Sequence, residues 1–585
     1  MQKETLTNAR LKEEARIAYE TEQAWLKAER ERLASESESL RPFLARRDEE
    51  LSRIAAVDLA AVDWNLYLDT SGLPHASSEA SINNYLDVGY STLDLDFETT
   101  LISLLNIYKV ANEAEELALQ EDQKENFKLA AQYRGYMQKL EALANTRLDQ
   151  TTNYLLQRSY DIWRDYETNI VTGKVGDWKL ALWINHSKNP RFRLLEFPEL
   201  DISVTLPKSF ALANVAVRFL HQTINPLYRA KNSYMPLGGV FVIDVLGLPS
   251  QTKIVKSWTL ENPTLAASLS NVGYPIPAVG QAAPSAAALQ NIIPFGVEIT
   301  LPSFIIHWRP TPEIGWWDAE SQTWDTNGVT DIVYAHDTHK VIFQTTKAKP
   351  HAVIQSRVAQ VPFKSWNIRP LSDRTGLLTL ETMALHVEIR IESGWCQLLE
   401  PKIAECADIQ SLQLPPKVLL QQLARRGLNL MPEDDDAPFI KATIKNSALE
   451  KIVCRDIAFA VPAFTMASSS PWNNQNGRDV CVVRIQEIPD TECPPTLEKS
   501  KVVKSMIYKL KGCHLLDYSD KNADYPDRLR AIVEDKLAVY HASILITLKG
   551  NCLPTSQQKM DSGNVSFTEC VNALAYALRL FSFST

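Results

Sequence analysis

The sequence lacks the usual signatures of membrane insertion and of catalysis. No run approaches the roughly 18 apolar residues of a membrane-spanning helix, so no membrane partner is expected. Walker-type, G-x-G-x-x-G, H-E-x-x-H and G-x-S-x-G patterns are missing, which favours a non-enzymic protein without a cofactor. Lys and Arg number 61 against 70 Asp and Glu, which argues against a nucleic-acid partner. The polar first residues, Met-Gln-Lys-Glu-Thr, do not form a signal peptide.

Paired cysteines are also missing. The chain has eight cysteines, all after residue 390, and none forms a C-x-x-C motif. This spacing favours neither a secreted disulfide scaffold nor a zinc site. We therefore expect reduced, buried thiols in a cytosolic setting.

What remains is an ordinary globular composition with a strong internal division. Hydrophobic residues make up 45% and charged residues 22% of 585 positions, enough for several domains. The pattern predicts an α+β protein with long N-terminal helices, part of them coiled-coil-like, followed by two β-sandwich-like domains. The predicted segments are a charged extended helix (1–57), a helical region (58–172), a β-rich sandwich-like domain (173–400), a helix and acidic linker (401–436) and a second β-rich domain with a C-terminal helix (437–585).

The first segment mixes charges of both signs and has little apolar surface. Its best apolar stripe follows the alternating three- and four-residue steps of a coiled-coil seam, at Leu33, Leu40, Leu44, Leu51 and Ile54. Arg47 occupies a further seam position, and Pro42 is expected to break or kink the helix. The segment is therefore either a helix that docks on something larger or a frayed tail.

Later segments show clear periodicities. Ser77 or Ser78 is placed to cap a short helix, and the pattern from about 97 to 166 predicts a long helix or a helical hairpin. Alternating apolar residues predict strands near 202–206, 297–301 and 385–391. Two further apolar runs, 480–485 and 544–548, are also predicted as strands, and 568–581 as a helix.

Two groups of residues suggest chemistry. His336-Asp337-Thr338-His339 could ligate a metal, but flanking apolar runs favour a β-hairpin turn. Tryptophans at 308, 316, 317 and 324 could line a carbohydrate or peptide groove, although cross-strand pairs and core anchors explain them more economically.

A third group is basic. Lys188, Arg191 and Arg193 lie beside Asn185 and Asn189 and could hold a phosphate or an acidic protein tail. The alternative is a solvated strand end.

Three blocks together resemble one family. The first, residues 63–86, reads D-W-N-L-Y-L-D-T-S-G-L-P-H-A-S-S-E-A-S-I-N-N-Y-L. The second, residues 178–221, begins W-K-L-A-L-W-I-N-H, and the third is P-F-K-S-W-N-I-R-P at 362–370. They are similar to the cancer-susceptibility-candidate family, over residues 1 to about 400.

This resemblance implies an axonemal, inner-arm dynein intermediate-chain-like protein of motile cilia and flagella. It also implies the partners: axonemal dynein subunits, tubulin of doublet microtubules and other axonemal proteins. No Trp-Asp repeat at about 40-residue spacing occurs, so a propeller is not expected. A cytoplasmic dynein-arm assembly factor is the alternative, and a hydrolase or metal enzyme using His336 or His339 is a third reading. Because tubulin is acidic, the basic residues of the first segment are the predicted contacts: Arg41, Arg46, Arg47 and Arg53.

Overall fold

A computed structural model describes most of the chain. The described residues are 2–68, 72–123, 126–159, 169–186, 188–223, 230–249, 253–255, 258–260, 269–277, 284–285, 289–309, 311–488, 503–519, 533 and 538–585. They form two compact units, which we call the central unit (69–356) and the discontinuous unit (1–68 with 357–585). Long helices followed by antiparallel sheets confirm the predicted α+β class. The boundaries of the two units, at 68/69 and 356/357, differ from those of the five predicted segments. Whether each predicted segment folds on its own stays a prediction.

The central unit begins with helices. Ser78 caps the first of them, because its Oγ accepts a hydrogen bond from the Ser81 backbone N–H, as predicted. Two longer helices then form the predicted helical hairpin, while the rest of the predicted stretch, 160–166, lies outside the described residues. The helices are α2 (Glu79–Ser91), α3 (Phe97–Gln123), α4 (Phe127–Gln157) and the short α5 (Lys208–Leu212).

Antiparallel strands make up the rest of the central unit. They are β1 (Ile170–Val175), β2 (Trp178–Ile184), β3 (Leu194–Phe197), β4 (Ile202–Thr205), β5 (Val215–Gln222), β6 (Tyr234–Gly247), β7 (Lys253–Val255), β8 (Trp258–Leu260), β9 (Phe295–Thr300), β10 (Glu313–Asp318), β11 (Thr323–Asp325), β12 (Val329–Ala335), β13 (Lys340–Thr345) and β14 (His351–Ser356). One sheet has the order β1-β2-β5-β6-β14-β10-β11 and another the order β12-β13-β9-β4-β3; β7 and β8 pair separately.

Two apolar layers hold the central unit together. One layer packs the two large sheets against each other, through residues such as Phe219, Phe241 and Phe295, which gives the predicted sandwich. The other packs α2, α3 and α4 on the opposite face of the first sheet, through residues such as Trp178 and Leu140. This is why β2 is buried along its whole length instead of alternating.

A buried arginine joins helix and sheet inside the central unit. Arg218 on β5 donates to Asp244 on β6 and to Asp149 and Thr152 on α4, with distances of 2.7 to 3.0 Å. Burial disfavours the charged guanidinium, but the two carboxylates outweigh this effect and raise the pKa of Arg218.

The discontinuous unit contains one large sheet covered by helices. Its strands are β15 (Ser365–Ser372), β16 (Thr375–Glu381), β17 (His386–Ile391), β18 (Cys396–Glu400), β19 (Phe464–Ser468), β20 (Cys481–Glu487), β21 (Lys504–Lys509) and β22 (Gly512–Leu516). These eight strands form a single sheet in the order β18-β17-β16-β15-β19-β20-β21-β22. Strands before residue 400 and strands after it therefore belong to the same sheet. The packing in this unit is therefore helix on sheet, where the sequence pattern predicted a second sandwich.

Helices cover this sheet. They are α6 (Ala407–Gln410), α7 (Pro416–Arg425), α8 (Ala437–Ile440), α9 (Ser447–Ala460), α10 (Ser470–Gln475), α11 (Ile544–Leu548), α12 (Pro554–Asp561) and α13 (Val565–Ala577). The predicted C-terminal helix is confirmed, and Val571, Leu574 and Phe581 are buried. The predicted strand at 544–548 is wrong: Ser543 accepts a hydrogen bond from the Leu545 N–H and starts a helix there.

Asp436 is the buried residue of the acidic run 433–436, which the sequence pattern predicted as a linker, while Glu433, Asp434 and Asp435 are exposed. Asp436 is buried and lies 2.8 Å from Arg357, and Asp434 pairs with Arg579. The Glu433 side chain accepts a backbone N–H, and the Asp436 side chain accepts the Glu433 N–H, so the run forms a capping box.

The predicted N-terminal helix is one helix, α1 (Gln2–Leu68), and it runs through Pro42 without interruption. The five seam residues of the sequence pattern are all half-buried. The stripe therefore faces packed structure, and α1 belongs to the same compact unit as 357–585.

Candidate interaction surfaces

A polar cluster anchors the first half of α1 to the segment 540–542. Arg32 ion-pairs with Glu29 and Glu36 and donates to the backbone carbonyl of Tyr540. Glu29 accepts the Tyr540 N–H at 3.2 Å, and Glu36 accepts the Ala542 N–H at 2.9 Å. Glu36 also lies 2.9 Å from Nδ1 of His541. The hydrogen bond from Arg32 lowers the pKa of Glu29, so the charged form of this carboxyl is favoured in the docked helix.

An aromatic and ionic cluster anchors α1 further along. Phe43 packs edge-to-face on Phe459, with 5.4 Å between ring centroids. The guanidinium of Arg47 lies 4.6 Å from the centroid of the same Phe459 ring and donates to Glu569 at 2.5 Å. Such cation–π and charge-assisted contacts are strongest where water is excluded.

The structure therefore separates the four predicted arginines of α1. Arg47 is only 7% exposed and is engaged inside the discontinuous unit, which corrects its prediction as an outward-facing contact. Arg41 and Arg53 project into solvent, 75% and 73% exposed, and pair only locally with Glu38 and Glu50. Arg46 is exposed as well. The charge of Arg47 predicted that its side chain would face solvent, whereas its seam position predicted that the side chain would face the packed side of α1. The seam position proved to be the better guide.

The basic loop between β2 and β3 is built on its asparagines. Asn185 is buried and donates to the carbonyls of Phe210, Ala211 and Ala213, while its Oδ1 accepts the Lys188 N–H at 3.2 Å. In the same way, Asn189 accepts the Arg191 N–H at 3.0 Å. The asparagines thus shape the loop from within.

The basic side chains of this loop lie outside. Lys188, Arg191 and Arg193 are all exposed on this short segment of the central unit. The surface of this loop is therefore cationic.

The other two candidate groups have structural roles. Residues 336–339 form the turn between β12 and β13, where His336 packs on Tyr334 and His339 Nδ1 lies 3.2 Å from the Tyr334 hydroxyl. Trp317 and Trp324 face each other across β10 and β11, with centroids 5.3 Å apart, and Trp316 and Trp324 are buried. Both observations confirm the structural interpretations of these motifs.

The described cysteines are free, and most are buried; Cys493 lies outside the described residues. Burial raises the pKa of Cys454 and of Cys406, the latter to about 11, so these thiols are protonated and weakly nucleophilic. Among the described residues, no group of His, Cys, Asp and Glu side chains has the arrangement of a metal site. The same residues contain no helix with the length and apolarity needed to cross a bilayer.

These features define a class of protein: a long charged helix docked on a helix-covered sheet, with an additional α/β-layered unit and exposed basic surfaces. Residues 1–191 match the family described as cancer susceptibility candidate 1 N-terminus. The predicted family resemblance is thereby confirmed, and the matched region comprises α1 and the start of the central unit.

Individual proteins that match over most of their length specify the resemblance further. The chain is 24% identical to the "dynein axonemal intermediate chain 7 homolog" of Ciona intestinalis, over 85% of this chain and 84% of that protein. It is 20% identical to "dynein axonemal intermediate chain 7" of Danio rerio over 89% of this chain and 86% of that protein. For the Mus musculus protein of the same name the identity is 20%, over 92% and 91%. The similarity therefore extends beyond residue 400 into the C-terminal part of the chain.

Proposed function

We propose that this chain is a non-enzymic structural subunit of the ciliary or flagellar axoneme that associates with axonemal dynein. In this role it docks dynein on doublet microtubules or stabilises it there. The observation that carries the proposal is the similarity to dynein axonemal intermediate chains along 85 to 92% of this chain. The corresponding location is the cytoskeleton of the cilium or flagellum.

The architecture suits a docking role. The contacts at Glu29, Glu36 and Arg47 hold one face of α1 against the rest of the discontinuous unit. The opposite face of α1 is therefore exposed in a fixed orientation. A rigid, charged face of this kind gives partner orientation and rapid association more than raw affinity. The proposal for tubulin contact therefore keeps the exposed arginines Arg41, Arg46 and Arg53 and leaves out Arg47.

The basic loop supplies a second surface for an acidic partner. Lys188, Arg191 and Arg193 project from a loop whose backbone is fixed by Asn185 and Asn189. A preformed loop loses less conformational entropy on binding than a mobile one. We assign this surface to an acidic dynein subunit or another axonemal protein.

The proposal of a non-enzymic role is supported by how the chemically capable residues are used. His336 and His339 contact Tyr334 in a hairpin turn, and the thiols of Cys454 and Cys481 are buried with raised pKa values. These roles stabilise the fold.

Fractionation tests the dynein association against the alternative of a cytoplasmic assembly factor. A tagged chain in a motile, ciliated cell is followed through demembranation and salt extraction of axonemes. We expect it to stay with the axoneme and to leave with dynein at high salt. Recovery only in the soluble cytoplasmic pool, together with immature dynein, would favour the assembly factor instead.

Charge variants test the tubulin-facing surface without removing the helix. Deleting 1–57 would uncover the surface on which α1 packs, so the sharper variant is Arg41→Glu, Arg46→Glu, Arg53→Glu. A matched control changes three exposed basic residues elsewhere in the discontinuous unit, Arg374→Glu, Lys417→Glu and Arg425→Glu. Co-sedimentation with microtubules should weaken about tenfold for the first triple variant and little for the second. Equal loss in both would show that net charge alone is responsible.

A further inference from the structure

A crevice opens in the discontinuous unit beside the cluster in which Phe43 and Arg47 of α1 pack on Phe459. Its volume is about 210 Å³, and its apolar walls are Phe43, Phe459, Met560 and Val565. Arg46 and Arg47 line the same crevice. An apolar recess with a few polar groups in it is the usual form of a binding site, and this volume suits one large side chain.

Arg47 points to the chemistry of the ligand. Its side chain is 93% buried, Nη2 donates to Glu569, and Nη1 has no hydrogen-bond partner among the residues that the structure describes. A buried donor without an acceptor is destabilising, so an acceptor brought by a ligand is favoured here. A guanidinium prefers a carboxylate among protein acceptors.

The charges around the crevice agree with this preference. Arg46 and Arg47 supply two positive charges to the lining, and Asp561 supplies one negative charge. Asp561 is exposed and already accepts a hydrogen bond from the Gln557 amide at 3.0 Å. Glu569, which pairs with Arg47, does not line the crevice, so positive charge is in excess within the lining itself.

We propose that this crevice binds an acidic peptide segment of a partner protein. A carboxylate of the peptide contacts Arg46 and Arg47, and a neighbouring apolar side chain fills the recess between Phe43 and Met560. Apolar walls add no affinity for an inorganic anion, whereas they anchor a peptide side chain. The inference stands on the crevice and does not depend on the axonemal role.

Peptide binding to the purified full-length chain tests the proposal. The probe is a labelled pentapeptide with one central Phe flanked by two Glu on each side, followed by fluorescence anisotropy. A peptide with Gln for each Glu, and another with Ser for Phe, should each bind at least about tenfold more weakly. A benzophenone in place of the Phe should cross-link to Met560 or its neighbours. Equal affinity for the Gln peptide, no binding of the Glu peptide, or cross-links only outside the crevice would overturn the proposal.

Protein variants sharpen the test. Changing Arg47 would break the ion pair with Glu569 and disturb α1, so the informative changes are Arg46→Gln and Asp561→Asn. Arg46→Gln should weaken the Glu peptide about two- to fivefold, and Asp561→Asn should tighten it by a similar factor. Arg41→Gln, on the exposed face of the same helix, is the matched control and should leave affinity unchanged. An unchanged affinity for both Arg46→Gln and Asp561→Asn would place any binding elsewhere.

Discussion

The docking of α1 can be tested by removing one carboxylate, that of Glu36. This side chain is only 16% exposed, accepts the Ala542 N–H at 2.9 Å and lies 2.9 Å from Nδ1 of His541. A hydrogen bond to a charged group contributes about 1.5–3 kcal/mol, and partial solvent screening reduces the sum of the two. We therefore expect Glu36→Ala to weaken docking by about 2–3 kcal/mol.

Hydrogen exchange of the segment 538–545 measures this loss. The Tyr540 and Ala542 amides donate to carboxylates on α1, so their exchange reports undocking. A loss of about 2–3 kcal/mol corresponds to exchange about 30- to 150-fold faster. The His541 N–H instead donates to the Cys513 carbonyl and serves as an internal reference.

Glu38→Ala is the matched control for this experiment. Glu38 lies two positions further along α1, is 69% exposed and pairs only locally with Arg41. Its removal should leave exchange at 538–545 unchanged. Unchanged exchange in Glu36→Ala, or equal acceleration in both variants, would refute the docking contacts described above.

Acid should loosen the same anchor. The pKa of Glu29 is lowered by the hydrogen bond from Arg32, so the folded state holds its proton less readily than the unfolded chain. The stabilisation is therefore present above the ordinary carboxyl pKa and is lost as the pH falls through the lowered value. Exchange at Tyr540, corrected for intrinsic rates, should stay slow near neutrality and accelerate as the pH falls below the ordinary carboxyl pKa.

The remaining predictions concern stability inside each unit. Arg218→Met should destabilise the central unit by about 3 kcal/mol in thermal unfolding, because Asp244 would keep a partly buried charge without its partner. Burial lowers the pKa of both His221 and His351 to about 4, so the unfolded chain binds more protons. The free energy of unfolding is then at its maximum above pH 6.5, and each buried histidine should lower it by about 2 kcal/mol at pH 5. His351→Gln should therefore make the free energy of unfolding depend less steeply on pH between 6.5 and 5. In the discontinuous unit, Lys445→Met should cost about 2–4 kcal/mol in denaturant unfolding, since three backbone carbonyls, two of them buried, accept from this one ammonium group.

Much of the fold follows from sequence periodicity, because local patterns carry it. The spacing of apolar residues in 97–157 gives the helical hairpin, and the turn chemistry of 336–339 gives the β-hairpin. The strand predicted at 544–548 fails because a short apolar run is compatible with either structure. The Ser543 cap and the burial of Ile544, Leu545 and Leu548 decide for a helix.

The docked face of α1 could be predicted only in part. The half-buried stripe matches the predicted seam from Leu33 to Ile54, because apolar spacing is local information. The partner of that stripe could not be inferred, because the contacts that anchor α1 reach segments far along the chain, and those at Tyr540 and Ala542 are hydrogen bonds to backbone groups. Backbone groups at Tyr540 and Ala542 are the same in any residue type and leave no signal in the sequence.

The basic surfaces show the same limit. Charge alone identifies Arg41, Arg53 and the residues of the loop after β2 as exposed, and the structure agrees. Charge alone also selected Arg47, which is buried on Phe459. Only tertiary packing distinguishes a cation that faces solvent from one that closes an internal contact.

The long sequence separation across the α1 anchor has a consequence for biosynthesis. Arg32 and Tyr540 are 508 positions apart. At about 5–20 residues per second, the ribosome needs on the order of 25–100 s to make the chain between them. During that time the segment 540–542 that anchors α1 does not yet exist. The stripe that is half-buried in the folded chain is then exposed and can bind chaperones or other helices. A chain interrupted before position 540 would never form the contacts of α1 with Tyr540 and Ala542, so we expect such truncations to be removed by quality control even when the central unit is intact.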